Sequence, residues 1–163
     1  MRRLVMVATL VVAAGGCTSH VGRPAQSPSA ASPAAATARD PRTAAALLRI
    51  ATVFNREYDA GVYGPVYDRW DARSQAVITR SEYIRRHTDC PSAPHAAAHV
   101  ESAGPGPHGA WLVAYEIGGQ QLTDYWFYVH GRWVFDLVLS NSDAVKLYRL
   151  SPQRYAAAVG CSH

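Results

Sequence analysis

Apolar residues recur at steps of four, three and four from Leu47 through Ala51 and Phe54 to Tyr58, which lays one stripe along a helix. Asp40-Pro41 supplies a start for it, with Asp as N-cap and Pro at the first helical position, and Gly61 supplies a stop. Pro65 opens a short second helix through Trp70, and Thr79-Arg80-Ser81-Glu82 has the capping-box spacing that begins a third, running to about His87. The pattern changes after His95. Val, Tyr, Trp and Phe crowd into 111–117, 122–130 and 133–139, separated by Gly118-Gly119 and His130-Gly131, which predicts a meander of long antiparallel strands. A weaker first strand is predicted over 97–102. Helix returns over 142–148 and again after Ser151-Pro152, stopping at Gly160. Helices, then about four strands, then short helices predict an α+β fold in which the first helix packs across one face of a curved antiparallel sheet.

A hairpin turning at His130-Gly131 sets Tyr128 opposite Trp133, Trp126 opposite Phe135 and Asp124 opposite Leu137 on one face. Tyr125, Phe127, Val134 and Asp136 share the other. Both faces are apolar enough to be the core, so the pattern leaves open which one is concave. With 48% hydrophobic residues, four Trp and nine Tyr in 163 residues, the chain has the apolar surface for one ordinary domain.

The first 16 residues have the anatomy of a secretory signal: Arg2-Arg3, an apolar run from Leu4 to Ala14, then Gly15-Gly16 ahead of Cys17. The apolar run is shorter than the roughly 20 residues of a membrane span. Small residues followed by Cys at this distance resemble the lipobox of bacterial lipoproteins, although Ala14 stands where that motif usually has a larger aliphatic residue. The resemblance implies a diacylated Cys17 as the mature N-terminus and a domain held on the extracytoplasmic face of the cell membrane. Residues 17–39 are rich in Ala, Ser and Pro with no aromatic residue, which predicts a disordered tether ahead of a domain spanning 40–163.

If Cys17 carries lipid, Cys90 and Cys161 remain as an even pair in an oxidising compartment, and we expect a disulfide between them. No CxxC spacing favours a metal-binding alternative. The net charge of +4 falls to +2 without the leader, because two of the 16 basic residues precede Cys17. With no basic run longer than Arg85-Arg86, the arginines read as a solvated face, and nucleic acid is not an expected partner. His95 and His99 fall on one face of a strand, with His108 close in sequence, yet no carboxylate or Cys at recognised spacing completes a metal site. No P-loop, GxSxG or HExxH occurs, and neither a cofactor nor a metal is expected.

The order of elements, together with the aromatic hairpin from Asp124 to Asp136, resembles the NTF2-like, cone-shaped superfamily over about 120 residues. The composition is similar to that of small lipoproteins of high-GC actinobacteria. The resemblance implies a cone-shaped α+β domain that hosts either dehydratase- or isomerase-type chemistry or binding and accessory roles, and it makes a homodimer through the outer sheet face plausible. On that basis we expect a non-enzymatic module of the cell envelope that takes a small apolar ligand or an envelope protein. The alternative is a small enzyme that uses Asp124 for acid–base work on a hydrophobic substrate, with Tyr115 and Tyr128 as hydrogen-bonding neighbours. A lone acidic residue on a strand is more commonly structural, so Asp124 itself is expected at the sheet rim, paired with an arginine.

Overall fold

The computed structural model describes residues 39–91 and 96–161. They lie in the compact unit Thr37–His163. Residues 1–38, on which the expected leader, Cys17 and nearly all of the expected tether fall, lie outside the described residues, as does His95. The fold is α+β: helices α1 (Ala44–Asp59), α2 (Tyr63–Asp68), α3 (Ala72–Gln75) and α4 (Arg80–Asp89) precede four strands, and three short helices follow. The strands are β1 (His99–Pro105), β2 (Trp111–Ile117), β3 (Gln120–Val129) and β4 (Arg132–Asp136); the closing helices are α5 (Leu137–Ser140), α6 (Ser142–Tyr148) and α7 (Pro152–Ala158).

The strands form an antiparallel meander in chain order. Both tight turns have two central residues at positive φ, Gly118-Gly119 and His130-Gly131, the hairpin geometry whose twist matches that of the strands. At Gly131 a side chain is excluded twice over, since φ is +85° and an added Cβ would stand 2.8 Å from Cγ of Arg39. A register shift between Val100 and Ser102 puts a bulge in β1, which bends the edge of the sheet.

The apolar stripe of α1 does face the sheet. Leu47, Ala51 and Phe54 are buried against the face that carries Val113, Trp126, Trp133 and Phe135, which settles which face is covered. The residues Leu112, Tyr125, Phe127 and Val134 on the opposite face are only half-buried.

Several local expectations are corrected. Helix α1 is capped by Thr43, whose hydroxyl accepts from the Ala46 amide, not by Asp40. Asp40 is claimed elsewhere: its carboxylate takes Arg69 at 2.8 Å and the Trp133 amide at 3.0 Å, and the Pro41 carbonyl takes the Trp133 indole. At Thr79 only half of the capping box forms. The hydroxyl accepts from Glu82 N, but the Glu82 carboxylate turns to Arg85 and Arg86. The last strand ends at Asp136 and not Leu139, because the Asp136 carboxylate accepts from the Leu139 amide and caps α5. Asp124 therefore has no ladder partner in Leu137, while Trp126↔Phe135 and Tyr128↔Trp133 pair as predicted.

Arg86 is also not part of a solvated face. It is buried, its guanidinium donates to the carbonyls of Tyr148 and Leu150, and it lies over the Tyr155 ring at 5.1 Å. One charged side chain thereby ties α4 to α6 and α7, with Glu82 as its counter-ion at 2.7 Å. Cys90 and Cys161 stand beside this junction at disulfide distance, with Cα atoms 5.6 Å apart.

Candidate functional site

The inner face of the sheet is not filled along its whole length. Inward residues of β3 alternate as Leu122, Asp124, Trp126 and Tyr128, and the pairing of Val113 with Asp124 and of Tyr115 with Leu122 makes Tyr115 and Asp124 diagonal neighbours. At the Trp126 end the space is packed. Trp126 meets Phe54 edge-on at 5.2 Å, and Phe54 also touches Phe135 at 5.0 Å. Beyond Asp124 the sheet and α1 diverge and leave a cavity of about 360 Å³. That volume falls within the range of small-molecule sites.

Its walls come from α1, α4, α5, α6 and three strands of the sheet. Phe54 and Tyr58 of α1 form one side, Tyr115, Leu122 and Asp124 of the sheet form the floor, and Tyr83 of α4 with Ala144 and Tyr148 of α6 close the far side. Asp124 is only 5% exposed, and its Oδ1 accepts one hydrogen bond, from the Tyr115 hydroxyl at 3.2 Å. The other oxygen, Oδ2, has no hydrogen-bond partner among the described residues, and it is not one of the sealed-off polar atoms, so it opens to the cavity. Burial pushes the Asp124 carboxyl up to about 7, against a smaller opposing pull from the Tyr115 bond. The same burial, with the Asp124 charge beside it, raises the Tyr115 hydroxyl above its ordinary value.

Asp124 thus sits inside the domain and not at the rim, and its partner is a tyrosine and not an arginine. No short-range pattern distinguishes these two outcomes. The third residue of the expected group, Tyr128, does not join the site. It shares the face of Asp124 but lies four residues along, roughly 13 Å, with Trp126 between. Its ring packs on Trp133 at 5.1 Å and its hydroxyl donates to the Asp40 carbonyl, so it fastens the start of the domain to the sheet.

Comparison with protein-family models, curated proteins and solved structures returns no match. The chemistry of the cavity therefore rests on its own residues.

Behind the far wall, Tyr148 Oη lies 2.8 Å from His87 Nε2, a contact the sequence does not foretell. Burial holds the imidazole down at about 4, so His87 is neutral at physiological pH. Two further histidines are exposed: His99 on β1 and His108 in the loop before β2. Among the described residues, no three His, Cys, Asp or Glu side chains converge as a metal site would require. A second groove of about 420 Å³ also touches Phe54, and there Arg49, Arg69 and Arg132 mix with Glu57 and Asp68. Two of its charges are already satisfied, Arg69 by Asp40 and Asp68 by Arg80.

Tyr58, Tyr83 and Tyr148 were missed as site residues because a tyrosine at helical spacing reads as core. The available signal is the density of tyrosines on helices that face one another, since a phenol needs a partner for its oxygen.

Proposed function

We propose that this chain is a lipid-anchored, extracytoplasmic binding module that receives a small, largely apolar ligand between α1 and the sheet. Asp124 is the polar anchor of that ligand. The observation that carries the reading is the state of Asp124: a buried carboxylate with one tyrosine bond and one oxygen turned to an aromatic-walled cavity. A carboxylate kept in such a place is costly unless something meets it. The anchoring part rests on the leader and Cys17, and the NTF2-like resemblance is in keeping with a pocket between helix and sheet.

A filling substitution tests the pocket. Ala144→Trp on α6 occupies the cavity; it should abolish the nuclear magnetic resonance shifts that small aromatic probes induce at Tyr115 and Leu122 in the wild-type chain. Probe-induced shifts that survive this substitution contradict the pocket. For the anchor, Cys17→Ser should move the protein from the membrane fraction to the soluble one; retention in the membrane fraction contradicts it.

One observation supports a second reading, that of an enzyme. A carboxyl held near 7 is matched to proton transfer at physiological pH, so Asp124 can serve as general base or acid on a hydrophobic substrate. In that case Asp124→Asn eliminates turnover while probes still bind; a ligand recovered from the cavity unchanged favours the binding module.

A further inference from the structure

The charge of the cavity wall is unlike that of the protein around it. The chain carries 16 Lys and Arg against 12 Asp and Glu, yet no Lys, Arg or His lines this cavity among the described residues. Its charged lining groups are both acidic: Asp124 at the floor and Asp59 at the exposed end of α1. Six aromatic side chains surround them, Phe54, Tyr58, Tyr83, Tyr115, Phe135 and Tyr148. The imidazole of His87, behind Tyr148, is neutral and adds no positive charge.

We infer that the ligand is an organic cation, a protonated amine on an apolar or aromatic skeleton, with its ammonium group against Asp124 Oδ2 and its carbon frame among the aromatic rings. The inference rests on the pocket reading above and names the class of its occupant. Three ligand charges can be compared. An anion meets Asp124 as a like charge in a desolvated place, which is strongly unfavourable. A neutral ligand leaves the carboxylate uncompensated, or forces it to keep a proton. A cation completes an ion pair with Oδ2 and gains from the electron-rich faces of the surrounding rings, an arrangement known for recognising ammonium groups. The cavity of about 360 Å³ has room for an amine of the size of phenethylamine beside Asp124.

Three probes of nearly equal shape test this: phenethylammonium, phenethyl alcohol and phenylacetate, titrated at pH 8 into the oxidised full chain by calorimetry and nuclear magnetic resonance. The ammonium should bind at least about tenfold more tightly than the alcohol, with phenylacetate weakest. Asp124→Asn should bring ammonium and alcohol to within about threefold of each other. Equal or tighter binding of the alcohol in the wild type overturns the cation assignment while leaving the pocket standing, as does a tenfold preference that survives in Asp124→Asn. If none of the three probes shifts Tyr115, Leu122 or Ala144, the pocket reading falls, and the cation assignment with it.

Discussion

Two aspartates, one on β3 and one at the end of β4, are almost equally buried and have opposite fates. Asp136, 2% exposed, is fully used: one oxygen accepts the Leu139 amide at the start of α5 and the other takes the Arg73 guanidinium. Asp124, 5% exposed, has one tyrosine hydroxyl and an open oxygen. Burial alone therefore does not mark a functional carboxylate. The difference lies in the company: a helix start and an arginine make Asp136 structural, whereas Asp124 has aromatic walls and, among the described residues, no lining cation.

The largest loss of stability expected from this contrast comes at Asp136. Asp136→Ala removes the α5 cap and the charge-assisted bond to the largely exposed Arg73, costing about 3 kcal/mol and lowering the thermal midpoint by roughly 10 °C, as a calorimetric melt will register. Asp124→Asn goes the other way, and its sign depends on pH. The folded carboxyl titrates near 7 and the unfolded one near its ordinary 3.8, so folding takes up a proton between those values. The stability contributed by the protonated group is complete below about 4 and is lost as the pH rises through about 7. The Asn variant lacks this loss. It should match the wild type near pH 4 and exceed it by on the order of 4 kcal/mol at pH 8, as denaturant titrations at the two pH values will show.

Smaller changes sharpen the comparison across β2 and β3. Tyr115→Phe removes the one bond that draws the Asp124 carboxyl down, so the titration midpoint of Asp124 should rise, with a stability loss of about 1 kcal/mol at pH 8. Tyr128→Phe deletes a phenol hydroxyl from the same face of the sheet and loses the Asp40 carbonyl contact, for about 1 kcal/mol or less. It should leave the Asp124 midpoint unmoved. A shift there would join Tyr128 to the site after all.

Much of the frame was legible because it depends on local chemistry. The glycine-bearing turns, the β-rich runs between them and the Ser151-Pro152 start each specify their own conformation, and the meander, α6 and α7 follow. Boundaries failed where a distant partner outbid a local one. Asp40 looks like a cap but is drawn away by Arg69 and the Trp133 amide, and Leu137–Ser140 has strand composition but turns helical on the Asp136 cap. The site was half legible. Period-two alternation put Asp124 on a definite face, and β2–β3 pairing brought Tyr115 beside it, but whether that face was filled or hollow depends on where α1 leaves the sheet. Nothing in the spacing of residues encodes that separation. The role of Arg86 was hidden for a related reason: its partners are backbone carbonyls more than 60 residues away, which carry no sequence signature.

The claim at the centre of this account is that Asp124 is a buried carboxylate with no cation beside it among the described residues, facing a cavity. Carbon nuclear magnetic resonance of the Asp124 side-chain carboxyl, followed across pH 3 to 9 in the ligand-free wild-type chain, tests it most directly. The account predicts a midpoint near 7, moving downward when phenethylammonium is added. A midpoint near 4, indifferent to the amine, would contradict it, since that is the behaviour of a carboxylate in water or already paired.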